Sequence, residues 1–121
     1  SIVRGTTTRA LVRVLFEAGA KEVHLRITSP PILYPCFYGI DMANQDEFIA
    51  FGKSVEDVSR ELGATSVYYL SLEGLMKATE VGDEESGFCA ACFNGEYPSE
   101  VPEKLRSSKF RFEQARGVAK A

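Results

Sequence analysis

Two hydrophobic periods succeed one another in the first quarter of the chain. Leu11, Val12, Val14, Leu15 and Ala18 recur at helical spacing, with Gly19 behind them as a stop, and this predicts an amphipathic helix. Thr7 or Thr8 stands where its N-cap belongs; a hydroxyl there accepts a hydrogen bond from a first-turn N–H. From Glu22 to Ile27 the period drops to two: Val23, Leu25 and Ile27 share one face, His24 and Arg26 the other, the pattern of a strand. Helix then strand is half of an α/β unit. Ser29-Pro30-Pro31 ends the strand, because proline cannot donate to a ladder.

Beyond the prolines the periodicity fades. Ile32 to Asp41, with Tyr34, Pro35, Phe37, Tyr38 and Gly39, reads as a buried loop wrapped around something. Asp46 to Ala50 predicts a short helix. Ser54-Val55-Glu56-Asp57 resembles a capping box with Asp in place of Glu, opening a helix that Gly63 closes. Val67 to Leu70 predicts a strand, and Ser71 caps a helix from about Leu72 to Ala78. Tyr68, Tyr69, Phe110 and Phe112 read as packing residues. Glu80 to Gly87 is an acidic, glycine-containing linker. It leads to Phe88-Cys89-Ala90-Ala91-Cys92-Phe93 and the turn Asn94-Gly95. No internal repeat is visible. The organisation expected is an α/β piece over 1–79, the linker and cysteine segment over 80–102, and a basic tail over 103–121. That tail sets six basic residues against Glu103 and Glu113, a net +4, so residues 1–102 carry −7 of a chain whose total is −3. A solvated helical arm is the simplest form for it.

Composition narrows the classes. The length, 121 residues, suits a single domain. The chain is 45% hydrophobic and 26% charged, an ordinary soluble mixture. A formal charge of −3 argues against an electrostatic nucleic-acid binder and against a polybasic membrane surface. No apolar run approaches the roughly 18 residues of a membrane-spanning helix, and the N-terminus carries no signal-peptide core. The expected setting is the cytoplasm, with neither nucleic acid nor membrane as partner.

Two groups of residues could carry chemistry. Arg4-Gly5-Thr6-Thr7 precedes a helix, where backbone N–H groups and hydroxyls converge well on a phosphate. A plain helix cap is the simpler account of the same residues. The second group is Cys36, Cys89 and Cys92, an odd count unlike a secreted disulfide framework. Cys89-Ala90-Ala91-Cys92 has the spacing at which two sulfurs turn toward one metal or cluster corner. Phe37, Phe88 and Phe93 adjoin the three thiols, and such shielding suits an iron–sulfur cluster; buried free cysteine is the alternative. Three thiolates fall one short of a closed four-coordinate site. The lone His24 reads as a surface or packing residue, and Asp83-Glu84-Glu85 as a solvated run.

Taken together, the motifs say more. Ser1-Ile2-Val3-Arg4-Gly5-Thr6-Thr7, the helix after it, His24-Leu25-Arg26-Ile27-Thr28-Ser29-Pro30-Pro31 and Tyr34-Pro35-Cys36-Phe37-Tyr38-Gly39-Ile40-Asp41 follow in order. Tyr69-Leu70-Ser71-Leu72-Glu73-Gly74-Leu75 and Phe88-Cys89-Ala90-Ala91-Cys92-Phe93-Asn94-Gly95-Glu96-Tyr97-Pro98 complete the series. In this order and spacing, residues 1 to about 100 resemble the C-terminal part of the glutamine phosphoribosylpyrophosphate amidotransferases. The resemblance implies an α/β fold: part of a type I phosphoribosyltransferase, a parallel sheet with flanking helices, plus a C-terminal cysteine-bearing segment. It implies an enzyme of purine biosynthesis, a glycosyltransferase joined to a glutaminase domain. Ammonia released from glutamine displaces pyrophosphate from phosphoribosylpyrophosphate to give phosphoribosylamine. It assigns the 5′-phosphate to Ser1, Arg4 (mainly its backbone), Gly5, Thr6 and Thr7. Cys36, Cys89 and Cys92 fall on three of the four positions that hold a 4Fe–4S cluster in one branch of the family. The cluster's expected role is structural or oxygen-sensing. Magnesium accompanies phosphoribosylpyrophosphate, with ligands mostly outside these residues. The whole enzyme is expected to be a homo-oligomer.

The departures matter too. The glutaminase nucleophile, the acidic pair expected before Ser1 and the fourth cluster cysteine are not in these residues, so the chain reads as a fragment. No catalytic residue is assigned within it. Alone it is expected to catalyse nothing, to bind phosphoribosylpyrophosphate poorly and to leave a raw sheet edge. Two other readings compete. One is a non-enzymatic zinc-binding interaction domain using the three cysteines with His24. The other is a phosphoribosyltransferase relative that keeps the phosphate loop for ligand sensing.

Overall fold

The computed structural model describes residues 1–42, 44–79 and 87–102. The first helix, α1, spans Thr6–Glu17. Its N-cap is Gly5, left-handed at φ 76°, with no side-chain cap. This corrects the cap expected at Thr7 or Thr8, which lie inside the first turn. The reason is tertiary. A Cβ on Gly5 would lie 2.5 Å from Ile49 Cδ1 and 2.8 Å from Leu62 Cδ2, so only glycine satisfies both the dihedral and the packing. At the far end, Gly19 N–H donates to Phe16 O at 2.9 Å and Ala20 N–H to Leu15 O at 3.0 Å. That pair of bonds, around a left-handed Gly19, is a Schellman closure.

Strand β1 is His24–Ile27 and β2 is Ser66–Tyr69. They pair in parallel, with Leu25 opposite Val67 and Ile27 opposite Tyr69. Leu70 N–H adds one rung beyond, to Ile27 O at 2.9 Å, so the expected strand over Val67 to Leu70 is displaced by a single residue. Parallel strands need a crossover, and here it contains helix α2, Val55–Leu62. The capping box is present as read: Asp57 N–H donates to Ser54 Oγ while Asp57 Oδ2 accepts from Ser54 N–H. Gly63 closes α2 at φ 70°. Helix α3, Leu72–Thr79, follows Ser71, whose Oγ accepts from Gly74 N–H at 3.0 Å. A short helix α4, Ala91–Asn94, ends at Gly95 with φ 79°.

The expected helix over Asp46 to Ala50 is not formed. A single 3-10 turn covers Gln45–Glu47, and Phe48 leaves it with extended backbone. The change of direction sends adjacent side chains to different places. Phe48 joins Ile32, with Val3, Met42 and Phe93 packed around them. Ile49 and Ala50 join Ile2, Val58, Leu62 and Val67 in the main core, which Leu25, Ile27 and Tyr69 border. Three consecutive buried apolar residues serving two clusters cannot be met by one helical turn. The loop from Ile32 is buried only at its start: Tyr38, Gly39, Ile40 and Asp41 are exposed. Tyr69 packs as expected, but Tyr68 is 60% exposed and carries the Arg26 guanidinium 4.4 Å from its ring centroid. Phe110, Phe112, the tail 103–121 and linker residues 80–86 lie outside the described residues. No helix of the described residues is long and apolar enough to cross a membrane.

Candidate functional site

The glycine-threonine segment sits at the positive end of α1. Gly5 is buried, while Ser1, Arg4, Thr6 and Thr7 are exposed. No acidic side chain occupies the first turn, so no first-turn carboxylate offsets the partial positive charge of the free N–H groups. The Arg4 side chain turns away into an ion pair, Nε to Glu47 Oε2 at 2.7 Å, which leaves its backbone as the part facing the helix start. Sequence reading missed Glu47 as its partner. Val3 O accepts from Ile49 N–H at 2.8 Å, so the stretch before the helix is held against the core rather than left loose.

The cysteine loops form a second centre. Leu33 and Tyr34 N–H both donate to Cys92 O, at 3.0 and 3.1 Å. Tyr97 phenol donates to Pro35 O at 2.7 Å, and its ring lies 5.2 Å from that of Phe37. Tyr38 Oη is 3.1 Å from Ser99 Oγ. The Tyr34 ring lies so close to Gly95 that a Cβ there would meet it at 3.0 Å. These bonds join two segments far apart in sequence and bring the loop that carries Cys36 against the Cys92 segment. Cys89 is exposed, and Cys36 and Cys92 are half-buried. Burial pushes the Cys92 thiol up, and the nearby Cys36 and Cys89 sulfurs push it further, so the three share one electrostatic neighbourhood. Among the described residues no three His, Cys, Asp or Glu side chains gather closely enough to hold a metal ion. The donors are soft thiols suited to iron–sulfur or zinc, on adjoining loops, but their sulfurs are not drawn around one point.

His24 is not brought to these thiols. Its Nδ1 lies 2.8 Å from Ser66 Oγ and its Nε2 3.2 Å from Glu22 Oε2, on the exposed sheet face. Tyr97 was unassigned by sequence, although its place two residues beyond Gly95 on the cysteine segment was the available signal. Among the described residues, the buried oxygens Ser29 Oγ and Tyr69 Oη have no hydrogen-bond partner. Burial also raises the Tyr69 phenol above its usual value.

No family model matches the chain. It is similar to curated proteins named amidophosphoribosyltransferase. That of Synechococcus elongatus is 50% identical over 113 residues, 93% of this chain and 22% of that protein. The Bacillus subtilis protein is 52% identical over 103 residues, 84% and 22% respectively. Among solved structures, glutamine phosphoribosylpyrophosphate amidotransferase from B. subtilis, complexed with ADP and GMP, superposes with a TM-score of 0.75 at 51% identity. That match covers 85% of this chain and 23% of the other. A structure described as the allosteric regulatory enzyme of purine biosynthesis gives 0.77 at 49% identity, over 90% and 24%. The chain spans about a fifth of the length of the curated relatives it matches. In sequence and in fold, then, this chain is homologous over most of its length to one segment of the amidophosphoribosyltransferases.

Proposed function

We propose that the chain works as that segment of an amidophosphoribosyltransferase, contributing the 5′-phosphate end of the phosphoribosylpyrophosphate site and three thiols for a 4Fe–4S cluster. The observation that carries the reading is the homology, near 50% identity along most of the chain. The local geometry supports it. Gly5 lets the backbone turn sharply into α1, and the free first-turn N–H groups with the exposed Thr6 and Thr7 hydroxyls suit a phosphate dianion. Arg4 would contribute its backbone, since Glu47 occupies its guanidinium. Ser1 supports the same loop. Holding the phosphate orients the sugar, so that ammonia meets its anomeric carbon as pyrophosphate departs. Magnesium would travel with the pyrophosphate, on ligands mostly outside this chain. A cluster bound by Cys36, Cys89 and Cys92 would cross-link the two loops already joined at Cys92 O and Tyr97. The remainder of the longer chain, with its glutaminase domain, and further copies of it are the proposed partners.

The test uses the longer protein that carries this segment. Thr6→Val with Thr7→Val is expected to raise KM for phosphoribosylpyrophosphate by roughly 10-fold or more, the worth of hydrogen bonds to a charged group. Glutamine hydrolysis should barely change. An unaltered KM would overturn the phosphate assignment. Anaerobically purified protein should carry about four iron and four acid-labile sulfide per chain, and Cys36→Ser should lose them. Colourless protein with stoichiometric zinc would refute the cluster. The 121 residues alone should show no turnover.

A further inference from the structure

We propose that Glu47 is a positioning residue for phosphoribosylpyrophosphate, acting through Arg4 to hold the phosphate loop in its binding shape. This rests on the assignment of the 5′-phosphate to that loop. Each residue from Ile2 to Gly5 is held by the short segment that starts at Glu47. Ile2 packs in one core with Ile49 and Ala50. Val3 packs against Ile32 and Phe48, and its carbonyl accepts from Ile49 N–H at 2.8 Å. Gly5 lies so close to Ile49 and Leu62 that no Cβ fits. Arg4 stands outside this apolar bed. Its half-exposed side chain is anchored instead by Glu47 Oε2, 2.7 Å from Nε.

The bed is itself fixed from its other side. Glu47 N–H closes the 3-10 turn on Asn44 O at 3.0 Å, and Gln45 Nε2 donates to Leu33 O at 2.7 Å. An ion pair between half-exposed side chains contributes little to stability. Its effect here falls on the backbone that leads into the free N–H groups of α1. A loop already in shape loses less freedom when the phosphate arrives. That phosphate is common to the substrate and the transition state, so its loss of anchoring is read in KM and not in kcat.

The experiment is a double-mutant cycle of Arg4→Ala and Glu47→Ala in the longer protein that carries this segment. Each variant should raise KM for phosphoribosylpyrophosphate by about 3- to 5-fold, the upper range for one exposed ion pair. Inhibition by ribose 5-phosphate, which carries the 5′-phosphate alone, should weaken by the same factor. Inhibition by pyrophosphate, kcat and glutamine hydrolysis should stay within about 2-fold. The double variant should be no worse than either single one, because both remove the same contact. An unchanged or lowered KM in Glu47→Ala overturns the proposal, as do additive effects in the double variant. Equal weakening of pyrophosphate inhibition also overturns it, since the change would then not be confined to the 5′-phosphate end. If Thr6→Val with Thr7→Val raises KM while Glu47→Ala does not, the phosphate assignment stands and the role of Glu47 falls. If neither raises it, both fall.

Discussion

At Gly5 a left-handed dihedral and a close packing contact fall on one residue. Its φ of 76° disfavours any side chain, and Ile49 and Leu62 leave no room for a Cβ. Gly5→Ala should therefore destabilise the unliganded chain by about 2–4 kcal/mol, from strain plus overpacking. Urea unfolding measures it, and a loss below about 1 kcal/mol would show that the core yields. The dihedral demand was legible in Gly-Thr-Thr before a helix; the packing was not, because Ile49 and Leu62 are distant in sequence. Asp57 is the opposite case, its partners all local. Hydrogen bonds from Ser54 hold its carboxyl below the ordinary 3.8, with Arg60 and Lys53 adding their charge. A carboxyl depressed in the folded state stabilises fully above its unfolded value. That contribution is lost as pH falls through the lower folded value. Asp57→Ala should accordingly flatten the acid limb of the stability profile below about pH 4. Parallel acid limbs in the two proteins would contradict the capping role.

Among the elements, α1 shows how far periodicity reaches. Its apolar positions were visible in the sequence, yet only Val12 is buried, at 1% exposure, while Val14 two residues on is 52% exposed. The helix rests on α2 through one narrow line, and Leu11, Leu15 and Phe16 also face outward. Val12→Ala should cost about 2 kcal/mol through lost burial and a cavity, whereas Val14→Ala should stay within about 0.5 kcal/mol. Equal losses at the two positions would mean that the exposed side is covered in solution. Helix α2 was the most legible element, since its cap, its stop and its apolar face are all encoded within ten residues. The 3-10 turn over Gln45–Glu47 was the least, because Phe48 and Ile49 answer to different clusters that no local window contains.

For the molecule as a whole, the question is how the cysteine segment is tied to the α/β unit. Its apolar attachment is the half-buried Phe93 against Ile32 and Phe48, reinforced by the bonds to Cys92 O and from Tyr97. Phe93→Ala should loosen that segment before the sheet. Amide exchange at Cys92 to Tyr97 is expected to accelerate by about 10-fold or more, with β1 and β2 little changed. Uniform acceleration across the chain would show one cooperative unit instead. By itself the sequence determined the features whose causes are local: the alternation of β1, the capping box of α2, the glycine stops and the C-x-x-C spacing. Its motif order also pointed to the family. Only the tertiary structure decided that Gly5 rather than a threonine caps α1, that Tyr68 lies outside, that Arg4 pairs with Glu47 and that the loop carrying Cys36 meets the Cys92 segment. The physical reason is one of range. Capping and strand alternation are set by neighbours a few residues apart, whereas burial and loop docking depend on which distant surface arrives to exclude water.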